Sequence, residues 1–212
     1  MKAFKNMKED TKDYKISFDK MRSFFNTEPL NVDIYKWADN NYTPKVEVFL
    51  CHDNTHLVVK FFSYEKQHDL RTLVKEDSGP VCQDSCVEFF FQPYPDDPRY
   101  INFEVTPLGF LSMSLRKDRY ETESLLPEYR RHINIVPHIE PDHWTVHMEI
   151  PFSFIALVFE KQFILKSGDT AFANFYKCGD KTTLPHFGMW NDITLEDPDF
   201  HQSCFFGKIF FA

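Results

Sequence analysis

From residue 46 onward, apolar and polar positions alternate with a period of two, the mark of half-buried strands. Residues 46–50 and 56–62 predict two strands joined by a turn at Asp53-Asn54. Residues 87–91 predict another. In the run 100–106, Ile101, Phe103 and Val105 face one way, while Tyr100, Asn102, Glu104 and Thr106 face the other. Pro107-Leu108-Gly109 makes a turn, after which Leu111, Met113 and Leu115 alternate with Ser112, Ser114 and Arg116. These two runs form the clearest hairpin in the chain. Further strands are predicted over 132–139, 143–150, 171–177 and 205–211, and the apolar run 152–159 reads as one short helix. Thirteen prolines punctuate the turns between them. About ten short strands without a βαβ rhythm predict an all-β fold with little helix, an antiparallel β-sandwich.

The first 22 residues break this pattern. They carry six lysines and Arg22 against four acidic groups, and they are poor in aliphatic residues. They read as a basic N-terminal arm, either solvated or docked on an acidic partner, with residues 23–212 as a single domain. The opening residues lack the apolar core of a signal peptide. The longest uncharged apolar stretch, 150–159, is too short to span a bilayer. Five cysteines without a C-x-x-C pair suit free thiols in a reducing compartment. As it stands the chain is expected to be soluble, outside the membrane and cytoplasmic; a secreted chain trimmed of its leader would read the same.

Composition narrows the chemistry. A net charge of −8 argues against nucleic acid, which needs a basic stripe to displace counterions. Only 6 glycines leave little to build a phosphate cradle, and no nucleotide-binding glycine motif is present. Aromatic residues reach 17% of the chain, 24 of them Phe.

Three groups of residues could carry chemistry. The polar side of the hairpin sets Asn102 and Glu104 beside Arg116, a spacing at which carboxylate, amide and guanidinium can bracket vicinal sugar hydroxyls; an ordinary solvated sheet face has the same pattern. Asp84 and Glu88 flank Cys86, and two such carboxylates could act as acid and base on a glycoside, ligate calcium, or hold hydroxyls without catalysis. In the last fifty residues, Trp190 and Phe200 are interleaved with Asn174, Lys177, Asp180, His186 and His201. Ring faces that meet the C–H face of a pyranose, with polar neighbours for its hydroxyls, make a sugar platform; Phe175 and Phe206 fit the core. Cys178, His186, His201 and Cys204 offer zinc-binding atoms, but only His201 and Cys204 come close to ligand spacing, and buried thiols with turn histidines account for them more simply.

The strings DSCVEFF, YINFEVTPLG, NFYKCGD, PHFGMW and PDFHQSCFFG, in this order over residues 45–212, resemble the carbohydrate-binding module family 9-like domains. These are part of a wider superfamily of immunoglobulin-like sandwiches that includes sugar- and haem-binding DOMON domains. The resemblance implies an immunoglobulin-like sandwich that binds glucan or xylan ends, or free sugars, without catalysis. In the xylanase modules of that family two tryptophans clamp the terminal sugar. The matching positions here hold Val81-Cys82 and Phe200, the carboxylate after the QDS motif is kept as Glu88, and Glu104 stands where the family has a basic residue. Two other functions remain open: a haem-binding electron-transfer domain using Met113, Met148 or Met189 with a histidine, and a glycoside-active enzyme using Asp84 and Glu88.

Overall fold

The computed structural model describes residues 11–24 and 27–212. Each predicted strand is present: β4 (Val46–His52), β5 (His56–Ser63), β6 (Cys86–Gln92), β7 (Tyr100–Val105), β8 (Leu111–Arg116), β10 (Asn134–Ile139), β11 (Trp144–Pro151), β12 (Thr170–Cys178) and β14 (Gly207–Phe211). The single described α-helix, α1, spans Phe152–Phe159 and buries Phe152, Phe154, Ile155 and Phe159. Its last turn closes on Glu160, whose left-handed backbone donates back to Ala156 and Leu157. Five strands were not predicted: β1 (Asp13–Phe18), β2 (Leu30–Val32), β3 (Ile34–Tyr35), β9 (Thr122–Ser124) and β13 (Phe187–Met189). No described helix is long and apolar enough to cross a membrane.

The fold is mostly β, as expected, but the sheet is neither purely antiparallel nor ten-stranded. Fourteen described strands form one mixed sheet whose main path runs β10-β11-β5-β4-β1-β14-β12-β6-β7-β8-β9. The mixed character comes from β1, which pairs in parallel with β14 on one side and with β4 on the other. Thus the predicted arm is corrected over its second half: Asp13–Phe18 is an interior strand, with Ile16 fully buried. Residues 1–10 lie outside the described residues.

The sheet curls so that its two limbs face each other across one core. Val48, Leu50, Val59 and Phe61 come from one limb; Phe89, Phe103, Ala173 and Phe175 come from the other. Phe61 and Phe175 meet with ring centroids 6.2 Å apart. Phe89 stacks on Phe103 and Phe175 at 6.0 and 5.0 Å. At one outer edge, β10 carries Pro137, whose missing N–H costs nothing there.

Strands β6 and β7 are buried along their whole length because loops cover their outer face as well. Phe90, Tyr100, Tyr176, Ile193 and Phe206 form a second, smaller core there. The polar side of the β7–β8 hairpin is therefore not a solvated face: Tyr100, Asn102 and Thr106 are fully buried and Glu104 nearly so.

A buried ion pair ties the limbs together. Lys177 Nζ of β12 lies 3.2 Å from Glu65 Oε2, just beyond β5, and donates to Cys178 O at 2.9 Å. Glu65 accepts from Trp144 Nε1 and Ser63 Oγ, both at 2.9 Å, and from Tyr42 Oη at 3.4 Å. Burial alone would push the Glu65 carboxyl up, but the Lys177 ammonium and the Trp144 and Ser63 donors hold it below its ordinary value. Burial and the Lys177 ammonium push His186 down to about 4. The ring is thus neutral, accepting from Lys177 at 2.7 Å and paired through Nδ1 with Leu184 O at 2.8 Å.

Removing one member strands the other in a dry site. Lys177→Met should cost about 3–5 kcal/mol in urea denaturation, and Lys177→Met combined with Glu65→Gln should cost far less than the two single losses added. His186 supplies a pH signature. Its folded pKa is about 4 against an ordinary 6.5, so the unfolded chain takes up the proton first, and this contribution to stability falls as pH drops from 6.5 towards 4. The thermal midpoint of His186→Gln should fall less than that of the parent across this window.

Candidate functional site

A cavity of about 580 Å³ opens on the outer face of the sheet, between the ends of β6, β7, β8 and β12 and the loops that cover them. One wall is aromatic. Trp37, Phe187 and Phe200 line it, with Trp37 and Phe200 centroids 5.7 Å apart and Phe200 stacked on Tyr176 at 4.1 Å. Trp37 reaches this wall because β3 pairs with β13, which in turn pairs with β12. That pairing requires a glycine: a Cβ on Gly188 would come within 2.5 Å of the Tyr35 ring. Trp37 itself has φ +65°, a left-handed conformation unusual for a bulky residue, and its indole N–H donates to Leu195 O at 3.0 Å.

The floor is polar. Glu88 and Glu104 face each other in register on β6 and β7. Asn102, beneath them, donates to Glu104 Oε1 at 2.7 Å and accepts from Arg116 Nε at 2.9 Å. Burial, then the neighbouring Glu104, push the Glu88 carboxyl well above its usual range. Burial also raises Glu104, but Arg116 and Asn102 oppose it and leave it at about 7. Glu88 is therefore the acid that keeps its proton, and Glu104 the one that ionises, since a low-dielectric floor does not hold two adjacent carboxylates. On the rim, Asp199 accepts from His201 N at 3.0 Å and pairs with Arg119 at 3.4 Å. The His201 ring is stacked on Phe90 at 5.0 Å and paired with Tyr100 Oη at 3.1 Å, and burial lowers it to about 4.

Of the residues singled out in the sequence, the structure brings Glu88, Glu104, Arg116, Asp180, Phe200 and His201 to the cavity, with Asn102 directly beneath. It places four elsewhere. Trp190 is buried against Phe175 at 5.6 Å, away from this cavity. Lys177 and His186 belong to the buried cluster on the opposite face of β12. Asn174 clamps the loop after β13, donating to Asn191 O and accepting from Asn191 N at 3.0 and 2.9 Å. Trp37, Phe187, Arg119 and Asp199 were missed. The signal available for Trp37 was a tryptophan beside the turn-forming run Ala38-Asp39-Asn40-Asn41, where a buried strand is not expected.

The enzyme reading loses Asp84, and the haem reading loses its methionines. Asp84 does not face Glu88: it is fully buried and locked by Arg71 at 2.5 Å and the Val74 N–H at 2.8 Å. A 3₁₀ turn over Val81–Gln83 ends the strand spacing that would have aligned them. Met113 and Met148 fill the main core and Met189 the smaller one, so none is free to become an axial ligand.

The family model for carbohydrate-binding family 9 matches residues 17–211. The chain belongs to carbohydrate-binding family 9. A search of curated proteins finds no match. Among solved structures, a family 9 chain such as this one is similar to a protein from Bacteroides uniformis for which carbohydrate binding has been proposed: identity is 27%, TM-score 0.82, and 95% of this chain and 99% of that one are covered. It also shares its fold with a family 9 module from Caldicellulosiruptor kristjanssonii solved with glucose, at 16% identity and TM-score 0.66, with 95% and 96% covered. The same organism's module with cellotriose gives 14% identity and a TM-score of 0.64, with 94% and 93% covered.

The floor makes a direct electrostatic prediction. Followed by side-chain carboxyl ¹³C shifts, Glu104 should titrate at about 7 in the parent. Its midpoint should move upward in Arg116→Met, because the guanidinium that favours the charged form is gone. An unmoved midpoint would mean that Arg116 does not act on this carboxyl.

Proposed function

We propose that this protein is a non-catalytic carbohydrate-binding module whose cavity holds a small sugar or the end of a glucan- or xylan-type oligosaccharide. The observation that carries this reading is the opposition of the Trp37–Phe200 wall to the Glu88, Glu104 and Arg116 floor within one cavity of ligand size. A pyranose offers an apolar C–H face to rings and, at its edge, vicinal hydroxyls to carboxyl and guanidinium groups. At the family's first clamp position Val81 lines the cavity without a ring, and Trp37 supplies a ring from another segment. Membership of carbohydrate-binding family 9 supports the function, and relatives solved with glucose and cellotriose support the ligand class. The Glu88 carboxyl, which keeps its proton, also suits a binder, since a neutral carboxyl both donates to and accepts from a hydroxyl pair.

Calorimetric titration with glucose, cellotriose and xylotriose tests this. One of them should bind, and Trp37→Ala and Phe200→Ala should each weaken binding roughly tenfold, about 1.4 kcal/mol, with near-parent circular dichroism. Trp190→Ala should instead lower stability by about 3–5 kcal/mol, as loss of a core aromatic does. Flat titrations of the folded parent with all three sugars would overturn the reading.

A further inference from the structure

The floor of the cavity contains two thiols that the sugar reading leaves unused, beside a carboxyl, Glu88, that it does use. Cys86 and Cys178 are direct partners in the β6–β12 register, and Glu88 follows two residues after Cys86, so all three point to the same outer face. Their ligand atoms lie within 4.8 Å of one another, and all three residues are buried. The Cys86 thiol donates to Glu88 Oε1 at 3.5 Å. The Cys178 thiol is 3.3 Å from Asp180 Oδ1 and 3.5 Å from Cys82 O. Glu88 and Cys178 also line the cavity, beside Cys82 and Asp180.

We propose that Cys86, Glu88 and Cys178 bind a zinc-class divalent metal at the floor of the cavity, with one coordination position left open towards the cavity's occupant. In tetrahedral zinc sites with metal–sulfur bonds of about 2.3 Å and metal–oxygen bonds of about 2.1 Å, neighbouring ligand atoms are roughly 3.4–3.8 Å apart. The Cys86–Glu88 separation already falls in that range, and the remaining closure is within reach of a side-chain adjustment. Two sulfurs and one oxygen select zinc, or cobalt as its spectroscopic stand-in, over calcium, which takes oxygen donors alone. Charge points the same way. Three acidic side chains, Glu88, Glu104 and Asp180, converge with the thiols, while the nearby cation Arg116 is turned onto Asn102. Binding would release the two thiol protons and the Glu88 proton, so the ion's two positive charges would meet three new negative ones, and the buried frame of β6 and β12 holds the donors in place beforehand. Three protein ligands and a cavity-facing fourth position are the arrangement of an open zinc site, one that takes water or an oxygen of a bound molecule. This is a different ligand set from the Cys178, His186, His201 and Cys204 considered from the sequence: His186 turns to Lys177, and His201 stacks on Phe90.

The inference does not rest on the sugar reading, and its test contains no sugar. Fully reduced parent protein, with all five thiols verified by titration, is titrated with Co²⁺ under anaerobic conditions. The expected result is a thiolate-to-cobalt charge-transfer band with tetrahedral visible bands, saturating at one equivalent, bleached by Zn²⁺ and lost in Cys86→Ser and Cys178→Ser. Cys204→Ser should keep the full band, and Glu88→Gln should shift the visible bands or weaken affinity at least tenfold. If a serine variant does not fold, Glu88→Gln and the Zn²⁺ competition on the parent still decide. No thiolate band in reduced, folded parent would overturn the proposal, as would a full band in both serine variants.

Discussion

The rest of this architecture depends on the buried contact between Lys177 and Glu65. A charge with no access to water tolerates few arrangements, and this pair has one: the end of β12 must lie against the segment that follows β5. Those strands belong to opposite limbs of the curled sheet, so the pair fixes how the limbs close. Hydrophobic contacts such as Phe61 on Phe175 supply most of the driving force, but they are non-directional and would accept a shifted register. The ion pair would not. Because Cys178 is the next residue along β12 and faces the other way, fixing Lys177 inward also fixes Cys178 and Asp180 at the edge of the cavity.

The cavity is a product of this double-sided burial. Strands β6, β7 and β12 place their inner faces on the main core and their outer faces under loops carrying Trp37, Phe187, Phe200 and Phe206. Acidic side chains on such a face are neither solvated nor fully paired. Desolvation raises both carboxyls, the neighbouring Glu104 raises Glu88 further, and the Arg116 guanidinium and Asn102 pull Glu104 part of the way back. The unusually high aromatic content of the chain is spent on both layers, which is why aromatic residues alone could not point to the binding surface.

What the sequence made legible follows from length and period. Strands of five residues or more with clean alternation were readable, as was α1, whose apolar run is unbroken by charge. The strands β2, β3, β9 and β13 are two or three residues long and have no period to detect. In β1, Ile16 is the only fully buried residue of the run DYKISF, and nothing local records that its neighbours run parallel to it. Glu88, Glu104 and Arg116 lie together at the cavity, as their strand spacing predicts. A tryptophan flanked by polar residues fits a core or a platform equally well, and the contact that places Trp190 against Phe175 is tertiary. Trp37 reaches the cavity through a pairing between β3 and β13, more than 150 residues apart, which no local pattern encodes.

The position of β1 has a consequence for how the molecule is made. Asp13 pairs with Lys208 and Ile16 with Phe211, while Ser17 pairs with Cys51 on the other side. On a ribosome, β1 can therefore complete its place only after β14 has left the exit tunnel. Until then the edge of β1 that will meet β14 stays unpaired, a surface on which another nascent chain could zip. Contacts this distant in sequence make for slow closure. Lys15 within β1 and Lys20 just beyond it then do a second job, keeping that waiting segment hydrated and repelled from its own copies until β14 arrives.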